Sequence, residues 1–326
     1  MSTNLQNYGW QRPHVTEATV LTASVNLTYY GGVRGAAPGD FDTPLGAGFS
    51  NDGLRLIVSD GNNTRLQVFG VADGRNLTYL SSYGSLGSGN GNFAGPSGPG
   101  CVACHPTTSR VYVADFYNHR LHILQLAGDV LSNVGYYGSF GTGNGQFKNP
   151  FGVAVSRDGT RLAVGEYINY RVQIFGISGD TLTHQATFGG VQGYANGEFY
   201  GPFGVAFNGD GTRLAVAENG RVRWLRVDGN TVTNITDFTF IGGGAGRGVD
   251  ISKDGRHMAV ADNSSNSRVM LARIADDKFT RIAAIGSRYL ATNTYGELNT
   301  PVAAVFHPDG VHMLIVDTGN HRIVTV

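Results

Sequence analysis

A dipeptide landmark recurs along this chain at a nearly constant interval. Tyr30-Gly31 returns as Tyr83-Gly84, Tyr137-Gly138, Phe188-Gly189, Ile241-Gly242 and Ile285-Gly286, at steps of 53, 54, 51, 53 and 44 residues. A second series sets an arginine a few residues after an acid: Asp60 and Arg65, Asp115 and Arg120, Glu166 and Arg171, Glu218 and Arg221, Asp262 and Arg268, Asp317 and Arg322. A third series, Gly-Asn-Gly-x-Phe, stands at 89–93 and 143–147, is shortened at 196–199 and is degenerate at 296–298. Three independent markers agree on six units, and a period of this length means one supersecondary unit stacked repeatedly.

Within a unit the pattern is that of strands. From Pro150 the chain reads Phe-Gly-Val-Ala-Val, an Asp-Gly turn, then Arg161-Leu-Ala-Val-Gly-Glu166. Arg171-Val-Gln-Ile-Phe175, a Gly-Asp turn and a last run toward Phe188 follow. Short β-branched runs between such turns are hairpin signals. Four antiparallel strands per unit is the plan of a propeller blade, so the expected fold is all-β, a six-bladed β-propeller of four-stranded antiparallel blades. The blades are expected at about 30–82, 83–136, 137–187, 188–240, 241–284 and 285–326, after an N-terminal arm over 1–18. The sixth unit stops four residues past Arg322, one strand short, while Val25, Leu27 and Tyr29 alternate with polar neighbours near the start. Residues 19–29 are therefore expected to complete blade six and close the ring, leaving no open sheet edge.

Composition removes several function classes. Over 326 residues, 24 basic side chains balance 24 acidic ones, so nothing in the overall charge draws the chain to nucleic acid or an anionic membrane. No apolar run approaches the roughly 18–20 residues of a membrane span. The first residues lack the basic-then-apolar layout of a secretory signal, so a cytoplasmic location is expected. Asn-x-Ser/Thr sequences at Asn26, Asn62, Asn76, Asn234 and Asn263 keep an extracellular location, after removal of a leader, as the alternative.

Asp115-Phe-Tyr-Asn-His-Arg120, Glu166-Tyr-Ile-Asn-Tyr-Arg171 and Asp317-Thr-Gly-Asn-His-Arg322, behind the Gly-rich stretch and a proline, resemble NHL repeats. The resemblance spans about residues 30–326 and implies a six-bladed propeller. It also implies several functions, because that family includes protein-binding modules, single-stranded RNA binders and amidating lyases. In the lyases, histidines near the inner strands hold a catalytic zinc. The corresponding positions here are Leu45, Gly100, Phe151, Phe203, Arg247 and Val302, without a histidine or carboxylate. No catalytic set, metal or cofactor is therefore expected; Asp250 is the one acid on an inner strand.

Two motifs invite chemistry and read better as structure. The repeated acid and arginine recur in every unit, which suits a blade holding its own loop. Arg55, Arg161 and Arg213 after the Asp-Gly turns, Arg110 after the equivalent turn, and His257 and His312 at the same places read the same way. Cys101-Val-Ala-Cys104-His105 has the spacing of c-type haem attachment. On a strand, however, residues three apart face opposite sides, so two thioether links to one haem are not expected.

The loops from acid to arginine in blades two and three are aromatic, with Phe116, Tyr117 and His119, then Tyr167 and Tyr170. Phe151 and Phe203 are placed at the channel mouth beside them. Two connections are shortened, Glu218 to Arg221 and Ile241 to Gly246, which suggests a notch in that face near Arg221 and Arg247. Exposed aromatics anchor protein interfaces. The favoured reading is thus a monomeric, non-catalytic binding propeller that takes a protein or extended peptide on this face. A single-stranded RNA reader, disfavoured by the neutral charge, and a propeller-type lyase or hydrolase are the alternatives.

Overall fold

A computed structural model describes residues 19–20, 27–239, 246–286 and 297–326. Blade one runs Pro44–Phe49, Arg55–Asp60, Arg65–Ala72 and Asn76–Tyr83, each strand antiparallel to the next. Blades two to five repeat that plan from inner strands Pro99–Cys104, Pro150–Val155, Val205–Phe207 and Gly246–Ile251. Blade six takes Ala303–Phe306, Met313–Asp317 and Arg322–Thr325 from the end of the chain and Thr28–Gly31 from its start. The molecule is a six-bladed β-propeller, and among the described residues the sole helical piece is a 3-10 turn at Thr318–Asn320. No described helix is long and apolar enough to cross a membrane.

Ring closure runs through backbone pairing. Thr28 lies opposite Thr325 and Gly31 opposite Arg322, and the Thr28 and Thr325 hydroxyls are hydrogen-bonded. The closing strand is shorter and later than the expected 19–29. Thr19–Val20 instead runs parallel to the outer strand of blade five, Lys278–Ile285. The expected N-terminal arm and residues 21–26 lie outside the described residues.

The core is a ring of interfaces between neighbouring blades. Tyr112, Leu121 and Ile123 of blade two pack with Val153, Leu162 and Val164 of blade three, and the pattern repeats around the ring. Residues on both faces of the second and third strands are buried, which removes apolar area from water at about 25 cal/mol per Å². The landmark glycine has a specific task here. Gly138 has φ +97, and a Cβ there would come within 2.3 Å of the buried Phe147 ring. That phenylalanine is the last residue of the Gly-Asn-Gly-x-Phe stretch, so the two sequence markers are two sides of one contact.

The acid of each unit is fully buried. Around Glu166, Arg171 donates from Nε at 2.6 Å, Asn169 at 2.5 Å and Gln173 at 2.7 Å, and the amide of Lys148 donates at 3.1 Å. The rest of the Arg171 guanidinium reaches the carbonyls of Thr142, Gly143 and Gln146 in the preceding loop. Asp60 with Arg65 and Asp115 with Arg120 repeat this geometry. Burial raises the carboxyls of Asp60, Glu166 and Asp317 above their usual range despite these bonds. The residue before the arginine is left-handed, with φ near 50° at Thr64, His119, Tyr170 and His321. From there His119 Nδ1 accepts from the Asn149 amide and His321 Nδ1 from the Thr43 amide, tying each blade to the next. The repeated Asp…Asn-His-Arg pattern is thus a loop clamp and a blade-to-blade staple. On the other face, Arg55 pairs with Asp129, Arg110 with Asp180 and Arg213 with Asp277, again across neighbouring blades.

Candidate functional site

Where inner-strand side chains meet across the axis decides where the channel is open. Leu45, Phe151, Phe203 and Val302, from blades one, three, four and six, form one buried cluster. Residues from blades on opposite sides of the ring touch one another only across the axis, so this cluster closes the channel at the aromatic face. Phe151 and Phe203 rings meet edge to face at 5.5 Å, Phe116 packs on Phe151 at 6.2 Å, and Tyr167 lies 4.7 Å from Phe203. The Arg247 guanidinium sits 3.7 Å above the Phe203 ring, and burial lowers its pKa.

The proposed binding residues of that face therefore sort into two groups. Phe116, Tyr117, Phe151, Tyr167, Phe203 and Arg247 form one contiguous stack, of which Tyr117 is the exposed end. His119 packs on Phe140 at 5.0 Å, and Tyr170 packs into the interface of blades three and four. Arg221 donates to Glu218 at 2.7 Å, to Asp237 at 2.8 Å and to the Tyr194 carbonyl at 2.8 Å. Its charge is engaged within the blade. One shortened loop is the two-residue turn between strands ending at Glu218 and starting at Arg221. The other, over 241–245, lies outside the described residues.

Below the aromatic plug the channel is a cavity of about 360 Å³ lined by all six inner strands. Its wall includes the small residues Ala47, Gly48, Ala103, Ala154, Ala206 and Ala304. Close approach of the strands themselves sets its diameter. At Gly152 and Gly204 a Cβ would meet the next blade's backbone at 2.0 and 2.5 Å. Asp250 is the carboxylate in this wall. Its Oδ2 accepts from the Phe306 amide of blade six and its Oδ1 from the Ile251 amide, both at 2.8 Å. Burial pushes its carboxyl up to about 6, against those two bonds and the charge of Arg157. Arg157 and Lys253 stand at the open rim, two residues past the inner strand. The other blades carry Asn51, Pro106, Gly209 and Pro308 there, so the rim's two cations are specific to blades three and five. Comparing that one column of the repeat across the units would have drawn attention to them from sequence.

Cys101 and Cys104 also lie along the cavity but do not act together. Cys101 packs toward blade three and Cys104 toward blade one, and both are free thiols. Burial pushes each thiol up to about 12, which keeps them protonated and poor as ligands or nucleophiles. His105 is fixed in a turn: Nε2 is 3.0 Å from the Gly159 carbonyl of blade three, and Nδ1 accepts from the Thr107 and Thr108 amides. A second set differs from the expectation that no three ligands would meet. His307, Asp309 and His312 place three donor atoms within 4.8 Å of one another. A search for ligands from several blades around the mouth passes over this set, because it comes from one turn, His307-Pro-Asp309-Gly-Val-His312.

No protein-family model matches the chain, and no curated protein matches it by sequence. Solved structures do share its shape. A hydrazine synthase from Kuenenia stuttgartiensis aligns at 16% identity and TM-score 0.59 over 88% of this chain and 77% of that one. A Lactobacillus plantarum protein aligns at 16% identity and TM-score 0.58, over 84% and 77%. A Bacteroides fragilis protein described as a candidate 6-phosphogluconolactonase aligns at 15% identity and TM-score 0.58, over 83% and 76%. At such identity the likeness is one of fold. Two of these three propellers are nevertheless described as enzymes, which corrects the expectation of a non-catalytic scaffold. The physical reason for the correction lies in the channel. Phe151 and Phe203, expected at the mouth of a binding face, fill that mouth, and the open concavity, with its single carboxylate, is on the other face.

Proposed function

We propose that this chain is a propeller enzyme that hydrolyses a small anionic ester or lactone in the central channel, with Asp250 as general base. The observation that carries the reading is the placement of Asp250: on the wall of the central channel, held by two backbone amides, with a carboxyl pushed up to about 6. Efficient general bases have a pKa near the working pH. A cavity of about 360 Å³ falls within the range of small-molecule sites. Arg157 and Lys253 at the rim favour an anionic substrate end through long-range attraction. The neighbour described as a candidate 6-phosphogluconolactonase agrees with a phosphorylated lactone as the substrate class. The resemblance to NHL repeats agrees with catalysis in such a propeller as well, since that family includes lyases.

In this mechanism the Asp250 carboxylate takes a proton from water as the water oxygen bonds to the acyl carbon. The acyl carbon–oxygen bond then breaks, and the departing alkoxide recovers the proton from the Asp250 carboxyl. Turnover needs the ionised carboxylate, so the rate should rise with pH through about 6 and then level off. The test is hydrolysis of 6-phosphogluconolactone and a panel of carboxylated and phosphorylated lactones and esters, corrected for spontaneous loss. Wild type should turn over at least one anionic member, and Asp250→Asn should lower kcat by about 10²–10⁴-fold. Equal rates in wild type and Asp250→Asn, or no turnover across the panel, would contradict the proposal.

A further inference from the structure

We infer that the turn His307-Pro-Asp309-Gly-Val-His312 is a binding site for a divalent transition-metal ion of the zinc type, separate from the channel. It joins strands Ala303–Phe306 and Met313–Asp317 of blade six. The donor atoms are His307 Nδ1, Asp309 Oδ2 and His312 Nδ1. Asp309 Oδ2 is 3.0 Å from the first and 2.6 Å from the second. A tetrahedral ion with bonds of about 2.0–2.1 Å needs its ligand atoms about 3.4 Å apart. All three lie within 4.8 Å of one another, so adjustments of about an ångström are enough. Imidazole nitrogen with carboxylate oxygen is a donor set that suits zinc and its neighbours.

Hydrogen bonds to neighbouring backbone already orient the set. His307 Nε2 is 3.1 Å from the Gly53 carbonyl of blade one, which holds the proton on Nε2, and Nδ1 accepts from the Asp309 amide at 3.1 Å. An ion would take the Nδ1 lone pair in place of that amide and draw in the Asp309 carboxylate, whose Oδ2 lies 3.0 Å from Nδ1. Asp309 Oδ1 is committed to the amides of Val311, at 2.7 Å, and His312, at 3.0 Å, so Oδ2 is the oxygen left to point at the rings. Side chains of Asp309 and His312 remain partly exposed, which gives an ion a route in and water a fourth position. Space is left by Gly74, where a Cβ would lie 2.3 Å from His312 Nδ1 and 2.9 Å from Asp309 Oδ2.

The repeat supplies its own control. Blade two has His105 with the same carbonyl bond, yet Thr107 and Arg110 replace the other two ligands. Blade five has Asp254 and His257 but Ser252 in place of the first histidine. Blade six combines all three. Because Arg55, Arg110, Arg161 and Arg213 occupy the His312 position in four other units, His312→Arg is compatible with the blade and removes one ligand.

The chelator-treated full chain is titrated with zinc chloride alone by calorimetry, and with cobalt chloride to read its visible d–d bands. One ion per chain should bind, with tetrahedral cobalt bands, and His312→Arg should fold with an unchanged melting temperature while losing at least about 100-fold in affinity. Asp309→Ser should weaken binding similarly, and His105→Ala should leave it unchanged. Failure of the wild type to bind either ion at micromolar concentration, or wild-type affinity in His312→Arg and Asp309→Ser, would overturn the inference.

Discussion

Replacing Glu218 by Ala is expected to cost about 3–5 kcal/mol of unfolding free energy. Its carboxylate is fully buried and accepts from Arg221 Nε at 2.7 Å, Arg223 Nε at 2.9 Å and the Tyr200 amide at 2.6 Å. Arg223 is itself 1% exposed, and its other acid, Asp237, is 3.8 Å away. Removing Glu218 leaves a guanidinium in the core without its closest counter-charge, and breaking a buried pair from one side costs more than the pair is worth. Blades one and three carry a neutral Gln67 and Gln173 where blade four has Arg223. Glu218→Ala with Arg223→Gln should therefore recover at least about 1 kcal/mol of the loss. Asp60→Ala, whose arginine is nearer solvent and whose second partner is Gln67, should cost less than Glu218→Ala. Urea unfolding of the three variants and the wild type checks the order. A loss below about 1 kcal/mol for Glu218→Ala would show that the clamp is not stabilising.

Deleting residues 1–31 is expected to abolish cooperative unfolding. The deletion removes Thr28–Gly31, the fourth strand of blade six, and exposes the backbone of Arg322–Thr325 as a sheet edge. It also removes Tyr30, whose ring packs on Phe69 at 4.9 Å and Phe41 at 6.3 Å in the interface between blades six and one. Arg322 in turn loses the Tyr29 ring, 4.4 Å from its guanidinium carbon. A ring held by neighbour-to-neighbour contacts loses two interfaces when one blade is incomplete. Calorimetry of the truncated chain should show a broad transition or aggregation. A single sharp transition near the wild-type temperature would mean that the closing strand contributes little.

What the sequence made legible follows from the locality of its markers. The landmark glycine, the buried acid with its arginine and the turn dipeptides each act within one blade or against its neighbour. Their spacing therefore reports the blades directly, and the missing fourth strand of blade six could be counted. The channel was less legible because its shape depends on side chains from several blades, distant in sequence, that meet at the axis. Leu45, Phe151, Phe203 and Val302 stand in the right column of the repeat, but only their packing together shows that they close that end. The environment of Asp250 depends on an amide of blade six, Phe306, that nothing near Asp250 in the chain announces. Arg221 is the converse case. Its shortened loop made it look available, whereas Asp237, on the next strand, engages it.

The titration of Asp250 bears most directly on the account of the channel as a catalytic site. Carboxyl carbons of aspartate labelled with carbon-13 can be followed by NMR across pH, and Asp250→Asn identifies the resonance that belongs to Asp250. The carboxyl is raised in the folded chain, so stability due to the neutral form is present at low pH and is lost as pH rises from about 4 to about 6. Wild type should accordingly lose stability relative to Asp250→Asn over that window. The account predicts a midpoint for Asp250 of about 6. A midpoint in the ordinary aspartate range, near 4, would leave the channel without a base poised for neutral pH and would contradict it.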